Sequence, residues 1–158
     1  MMTNLSYKVI EALKGRTLVT AESCTGGGIG YALTAVPGSS AVFKGGIISY
    51  TNEIKSKLLG VSEETLNRVG AVSSEVAAEM AIGARLRLSA DIAVSVTGLA
   101  GPDGDDFGNP VGTVFIGYSD LSVTEVEEHH FQGNRAEVRQ QAIDAAMNFI
   151  LQHVILKE

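Results

Sequence analysis

Histidine is missing from the first 128 residues of this 158-residue chain; the only three are His129, His130 and His153. Histidine is the usual base beside a serine nucleophile and the commonest metal ligand. An enzyme built on that long stretch therefore needs a different base, and a histidine-rich zinc site is not expected; no metal is. Cysteine occurs once, as Cys24, which excludes an internal disulfide and fits a reducing cytoplasm. Tryptophan is absent and aromatics make up 6% of residues, so the core must be built from Val, Ile, Leu and Ala. Basic residues are outnumbered 12 to 18 and never form a run, for a net charge of -6, which argues against a nucleic-acid partner. No apolar stretch approaches the roughly 20 residues that cross a bilayer. The start, MMTNLSYKVIEALKGR, lacks the charged, apolar, small order of a secretory leader. A soluble cytoplasmic protein with no membrane partner is expected.

What is abundant is glycine, at 18 residues, which points to several close approaches of backbone to backbone or ligand. Residues 3–14 carry Leu5, Val9, Ile10 and Leu13 at helical spacing, with Gly15 as the stop. TLVTAE (17–22) reads as a short buried strand running through the turn SCTGGG into a helix over IGYALTAV, ended by Pro37 and Gly38. GGIISY (45–50) reads as a second strand; Thr51 or Asn52 caps the helix that follows and Gly60 closes it. Ser62 and Glu63 open a short helix ending at Gly70, and Ser73 or Ser74 caps a longer one to about Leu88. DIAVSVTG (91–98) is near-continuously apolar, as a strand covered on both faces would be. LAGPDGDDFGNP (99–110) is a loop, and VGTVFIGYS and SVTEVEEHHF pair antiparallel around Asp120 and Leu121. Asn134 and Glu137 form a capping box for the last helix, which buries Val138, Ile143, Ala146, Phe149 and Ile150. The alternation predicts a single domain over residues 1–158: a three-layer α/β/α sandwich around a mixed, mostly parallel sheet of five or six strands.

Five segments can carry chemistry. In TAESCTGGG a serine sits between a strand end and a helix start, beside backbone N–H groups able to hold an oxyanion; a serine there is equally a cap in a tight turn. The stretch is neither a Walker motif nor the Gly-x-Gly-x-x-Gly fingerprint. Lys55 stands in the first turn of its helix, where the dipole disfavours an ammonium. It can act as a base if desolvation or nearby positive potential lowers its pKa toward neutrality, and otherwise has no catalytic role; Lys57 reads as ordinary solvated charge. Tyr50 ends an apolar strand just before that helix, and its hydroxyl either joins the site or simply stays wet. VTGLAGPDG offers a nest of N–H groups, or is a surface turn; Asp103, Asp105 and Asp106 in and after it lack the EF-hand spacing. Arg135 and Arg139, one helical turn apart, suit a phosphate or carboxylate, or form a solvated face.

TAESCTGG, GGIISYTNEIKSKLLGV, GAVSSEVAAEMA, TGLAGPDG with NPVGTV, and GNRAEVRQQA resemble, in order and spacing, the C-terminal domain of the competence-damage-inducible protein (CinA) family. The resemblance covers almost the whole chain, and stand-alone members of that family are similar to nicotinamide-nucleotide amidases. It implies hydrolysis of the carboxamide of nicotinamide mononucleotide to nicotinic acid mononucleotide and ammonia, in pyridine nucleotide recycling, with no cofactor. It carries the nucleophile onto Ser23 and the tyrosine and lysine of Y-x-N-x-x-K onto Tyr50 and Lys55. Thr25, Gly26, Gly27, Asn52, Thr97, Gly98, Ala100 and Gly101 would bind substrate, with Arg135 and Arg139 on the nucleotide phosphate. It also makes a homo-oligomer the expected assembly. Asn134 departs from the family's usual aspartate, a change that leaves helix capping intact but removes an acid's charge.

The mechanism so implied is attack by Ser23 Oγ on the carboxamide carbon, with neutral Lys55 taking its proton directly or through Tyr50. The Gly26–Gly27 turn or the Thr97–Ala100 loop would hold the oxyanion. Cys24 stands beside Ser23 and thiols are stronger nucleophiles, so physics leaves the two open while the family motif favours serine. A catalytically silent pyridine-nucleotide-binding or regulatory module is the alternative reading.

Overall fold

Strand β1 (Leu18–Glu22) is buried at all five positions, which a strand can be only if both faces of its sheet are covered. The computed structural model, which describes residues 4–155, shows what covers them. β1 pairs in parallel with β2 (Phe43–Ile48) on one side and with β3 (Ile92–Gly98) on the other. β3 continues antiparallel to β4 (Thr113–Ser119), and β4 antiparallel to β5 (Thr124–His130), giving the order β2-β1-β3-β4-β5. Four of the five strands thus run one way and only β4 runs back. The sheet is mixed and open, with five strands rather than six.

Among the described residues, six α-helices cover the two faces. α1 (Asn4–Ala12), α2 (Gly28–Thr34) and α6 (Arg135–Ile155) pack on one; α3 (Asn52–Leu59), α4 (Glu63–Val69) and α5 (Ser74–Arg87) lie on the other. Side-chain alternation assigns the faces. Leu18, Ile92, Val94, Val96, Val114, Ile116 and Tyr118 join the α1–α2–α6 core, whereas Val19, Ala21 and Ala93 join the α5 core. Each fully buried valine or isoleucine stabilises by roughly 1.5–3 kcal/mol. The α5 face is built from small residues so that the helix can come close: Ser95 Oγ donates to the Ala77 carbonyl at 2.6 Å, and a Cβ on Gly117 would fall 2.6 Å from that same oxygen.

Most expected boundaries hold. Thr51, Ser62 and Ser73 cap α3, α4 and α5 through their side chains. Gly60 closes α3 at φ 72, a left-handed conformation that glycine adopts freely. The capping box at α6 is reciprocal: Asn134 N–H donates to Glu137 Oε1, and Glu137 N–H to Asn134 Oδ1, both at 2.9 Å. Others move by a residue or two, among them those of α1 and β2. α1 ends at Ala12 rather than residue 14, and residue 3, where it was expected to begin, lies outside the described residues. β2 covers 43–48 rather than 45–50, because its partner β1 ends at Glu22 opposite Ile48; the Ser49 N–H makes the last bond, to the Glu22 carbonyl. Tyr50 is therefore carried past the sheet.

Candidate active site

The carboxyl ends of β1, β2 and β3 point the same way, and a cavity of about 430 Å³ opens above them. Ligands bind at that end of open α/β sheets because loops and helix starts converge there. Ser23 follows β1, Tyr50 follows β2, and Thr97 and Gly98 end β3; Ala71 and Val72 precede α5, and Leu99–Asp103 form a loop over one side. Arg135 enters from the first turn of α6.

Lys55 is the unusual member. It stands on α3, one turn past the Thr51 cap, and its side chain is turned inward so that the residue is only 2% exposed. Its Nζ lies 3.0 Å from Ser23 Oγ and 3.3 Å from the Tyr50 carbonyl oxygen. Burial disfavours the ammonium and brings Lys55 down to about 8, against a small opposing effect from Cys24. A lysine brought down to about 8, in contact with a serine hydroxyl, has the geometry a general base for acyl transfer without histidine would need. α3 is held against α5 at Gly83, where any Cβ would collide with the Leu59 carbonyl.

Cys24 is also buried at the cavity wall, yet it belongs to the α1–α2–α6 core. Burial pushes its thiol up to about 11, which disfavours the thiolate at neutral pH. Ser23, not Cys24, is the residue hydrogen-bonded to Lys55.

Of the expected substrate-binding residues, Asn52, Thr97, Gly98, Ala100, Gly101 and Arg135 line the cavity. Thr25, Gly26 and Gly27 do not; they form the turn behind it. Arg139 also lies behind the cavity, where its Nε donates to the Cys24 carbonyl at 3.0 Å and its Nη2 to the Thr25 carbonyl at 3.2 Å. The Tyr50 hydroxyl is placed on Arg135, accepting from Nη2 at 3.0 Å, while Arg135 Nη1 donates to the Gly101 carbonyl at 2.6 Å. Tyr50 reaches Lys55 through its backbone, not its hydroxyl. Ala100 and Gly101 offer backbone N–H groups for which no acceptor is found among the described residues.

Glu22 was not singled out from the sequence. It is 2% exposed; Oε1 accepts from Thr25 Oγ1 at 2.7 Å and Ile29 N–H at 2.9 Å, and Oε2 from Gly30 N–H at 3.0 Å. Its carboxylate supplies the cap that Gly27, lacking a side chain, cannot give α2. The available signal was a carboxylate ending an otherwise apolar strand just before a helix.

A wider apolar groove of about 1390 Å³ between α1, α6 and β5 brings together no serine, threonine or cysteine. No group of three or more His, Cys, Asp or Glu suited to a metal ion is found among the described residues, and no helix among them is long and apolar enough to cross a membrane.

Residues 2–154 match the model of the CinA C-terminal domain. The chain belongs to that family. Among curated relatives, this CinA domain is 45% identical over 153 residues to the nicotinamide-nucleotide amidohydrolase PncC of Pseudomonas putida, covering 96% of both chains. It is 46% identical over 142 residues to a CinA-like protein of Endomicrobium trichonymphae, covering 90% of this chain but 33% of that one. The domain therefore spans about a third of the length of several relatives and nearly all of the Pseudomonas protein. Among solved structures, a CinA superfamily protein from Klebsiella pneumoniae superposes with a TM-score of 0.93 at 35% identity, covering 96% of each chain. The competence/damage-inducible protein CihA of Agrobacterium tumefaciens gives 0.91 at 39%, covering 94% of this chain and 93% of that one.

Proposed function

We propose that this CinA domain hydrolyses the carboxamide of nicotinamide mononucleotide to nicotinic acid mononucleotide and ammonia, with Ser23 as nucleophile and Lys55 as base. The activity rests on the near full-length likeness to the Pseudomonas amidohydrolase. The observation that carries the mechanism is the 3.0 Å contact between Ser23 Oγ and the buried Lys55 Nζ.

Neutral Lys55 takes the Ser23 proton as Oγ attacks the carboxamide carbon. The carbonyl π bond opens to an oxyanion, which we assign to the backbone N–H groups of the cavity-lining Ala100 and Gly101; one such donor contributes roughly 3–4 kcal/mol to the transition state. Collapse breaks the C–N bond, and the Lys55 ammonium gives its proton to the departing amide nitrogen, releasing ammonia and an ester on Ser23. Neutral Lys55 then deprotonates a water that attacks the ester. The acid leaves and Ser23 recovers its proton. No step calls on a cofactor. Arg135, which lines the cavity and whose guanidinium makes two hydrogen bonds among the described residues, is the side chain we assign to the nucleotide phosphate. We place the reaction in the cytoplasm, carried out by a homo-oligomer.

The test is ammonia release from nicotinamide mononucleotide by wild type, Ser23→Ala and Cys24→Ala with divalent metal chelated. Turnover that survives in Cys24→Ala and disappears in Ser23→Ala is expected. Loss only in Cys24→Ala moves the nucleophile one residue. Binding without ammonia release by wild type makes this chain a nucleotide-binding module.

A further inference from the structure

Two nucleophiles stand side by side in this chain, and both lie within electrostatic reach of one base. Ser23 Oγ is hydrogen-bonded to Lys55 Nζ; the Cys24 thiol, on the cavity wall, feels the same lysine without bonding to it. The two side chains leave the turn on opposite faces, and the conformation of the turn decides which of them meets the lysine.

Alternation along β1 shows what does. Leu18 faces the α1–α2–α6 core, while Val19 and Ala21 face the α5 side. Continuing the alternation puts Glu22 beneath α2 and Ser23 on the opposite face, toward α3 and Lys55. Glu22 does not drift there as a solvated charge. Its carboxylate is buried and takes three hydrogen bonds, two from the first turn of α2 and one from Thr25 within the turn itself. The residue before the nucleophile and the residue two beyond it are thereby tied to each other and to a helix. Arg139 clamps the carbonyls of Cys24 and Thr25 from α6. The Ser23 N–H closes the frame by donating to the Val96 carbonyl at 3.0 Å.

We propose that Glu22 is a positioning residue whose carboxylate, by locking the turn to α2, makes Ser23 rather than Cys24 the side chain that meets Lys55. The inference rests on the Ser23–Lys55 reading of the site. It goes beyond that reading by naming what chooses between adjacent nucleophiles. A buried carboxylate is a costly group to desolvate, and its three hydrogen bonds tie the turn to the first turn of α2.

The experiment follows both side chains chemically as well as by turnover. Wild type, Glu22→Gln and Thr25→Val are treated with a serine-directed fluorophosphonate or with iodoacetamide, and the labelled residue is located by mass spectrometry. Glu22→Gln keeps the volume but removes the charge and one acceptor. It is expected to slow labelling of Ser23, speed alkylation of Cys24 and lower kcat, each by at least about 10-fold, with KM within about twofold. Thr25→Val removes the hydroxyl contact but spares both bonds to α2, and is expected to shift the same rates in the same direction by less. A Glu22→Gln protein with a lower Tm but wild-type labelling rates and kcat overturns the proposal, because Glu22 would then be a helix cap and nothing more. Should Glu22→Gln fail to fold, wild-type labelling rates in Thr25→Val overturn it as well. Wild type that releases no ammonia but labels on Ser23 sinks the amidase reading and leaves the labelling comparison to decide the role of Glu22.

Discussion

Lys55 reaches Ser23 across the end of the sheet: α3 carries the lysine inward until its Nζ sits 3.0 Å from the Ser23 hydroxyl oxygen, in a place water barely enters. The two residues are 32 positions apart in the chain. Their contact makes the site's pH behaviour and part of the fold's stability consequences of one buried amine.

Activity should rise with pH. The proposed base works in its neutral form, and burial brings Lys55 to about 8, so kcat/KM is expected to climb through that region and level off above it. A profile measured from pH 6 to 10 that stays flat would remove Lys55 from the role.

Stability should rise with pH over a neighbouring window. The folded-state value of about 8 lies below the ordinary 10.5, so between them the unfolded chain binds more protons than the folded one. The cost of burying the ammonium, roughly 3 kcal/mol, is fully present below pH 8 and is relieved as pH climbs toward 10.5. Lys55→Met is therefore expected to lower kcat by roughly 10²–10⁴ while raising Tm by several degrees at pH 7, with the gain shrinking by pH 10. Calorimetry at the two pH values checks this.

Tyr50→Phe should be mild. The hydroxyl sits on Arg135 Nη2, and the residue, 57% exposed, touches Lys55 only through its carbonyl. A change in kcat within about threefold is expected, the lost bond being worth roughly 0.5–1.5 kcal/mol at an exposed site and mostly recovered from water. A hundredfold fall in kcat would make the hydroxyl a proton relay instead.

Gly83→Ala should harm both stability and catalysis, although it touches no substrate. Its Cβ would run into the Leu59 carbonyl and push α3 away from α5. Overpacking of this kind costs roughly 1–3 kcal/mol. Because Lys55 rides on α3, kcat is expected to fall with KM little changed. A variant that loses Tm alone would separate the position of α3 from the reach of Lys55.

The elements were legible because the forces that make them are local. Thr51, Ser62 and Ser73 cap their helices by accepting from an N–H three residues on, and Asn134 and Glu137 cap α6 reciprocally. The apolar run at Ile92–Val96 required a central strand, and β3 is one. The end of β2 was misplaced because a strand stops where its partner stops, and Glu22 lies far from Ile48 along the chain.

Arg135 and Arg139 mark the boundary for the site. One helical turn apart on α6, they read as a pair, but Arg135 enters the cavity and Arg139 turns back to the Cys24 and Thr25 carbonyls. Spacing along a helix gives the direction of a side chain only to within a face, and what it meets there belongs to other segments.

The sequence by itself determined where helices and strands form, which residues could be nucleophile and base, and that no histidine occurs in the first 128 residues. Tertiary structure decided that Lys55 is buried and sharply less basic, that Ser23 rather than Cys24 lies on it, that the Tyr50 hydroxyl goes to Arg135, and that Glu22 is a buried clamp. The division is physical. Periodicity and capping act over a few residues, whereas desolvation and hydrogen bonding at a site depend on groups that only the packed sheet and its two helical layers bring together.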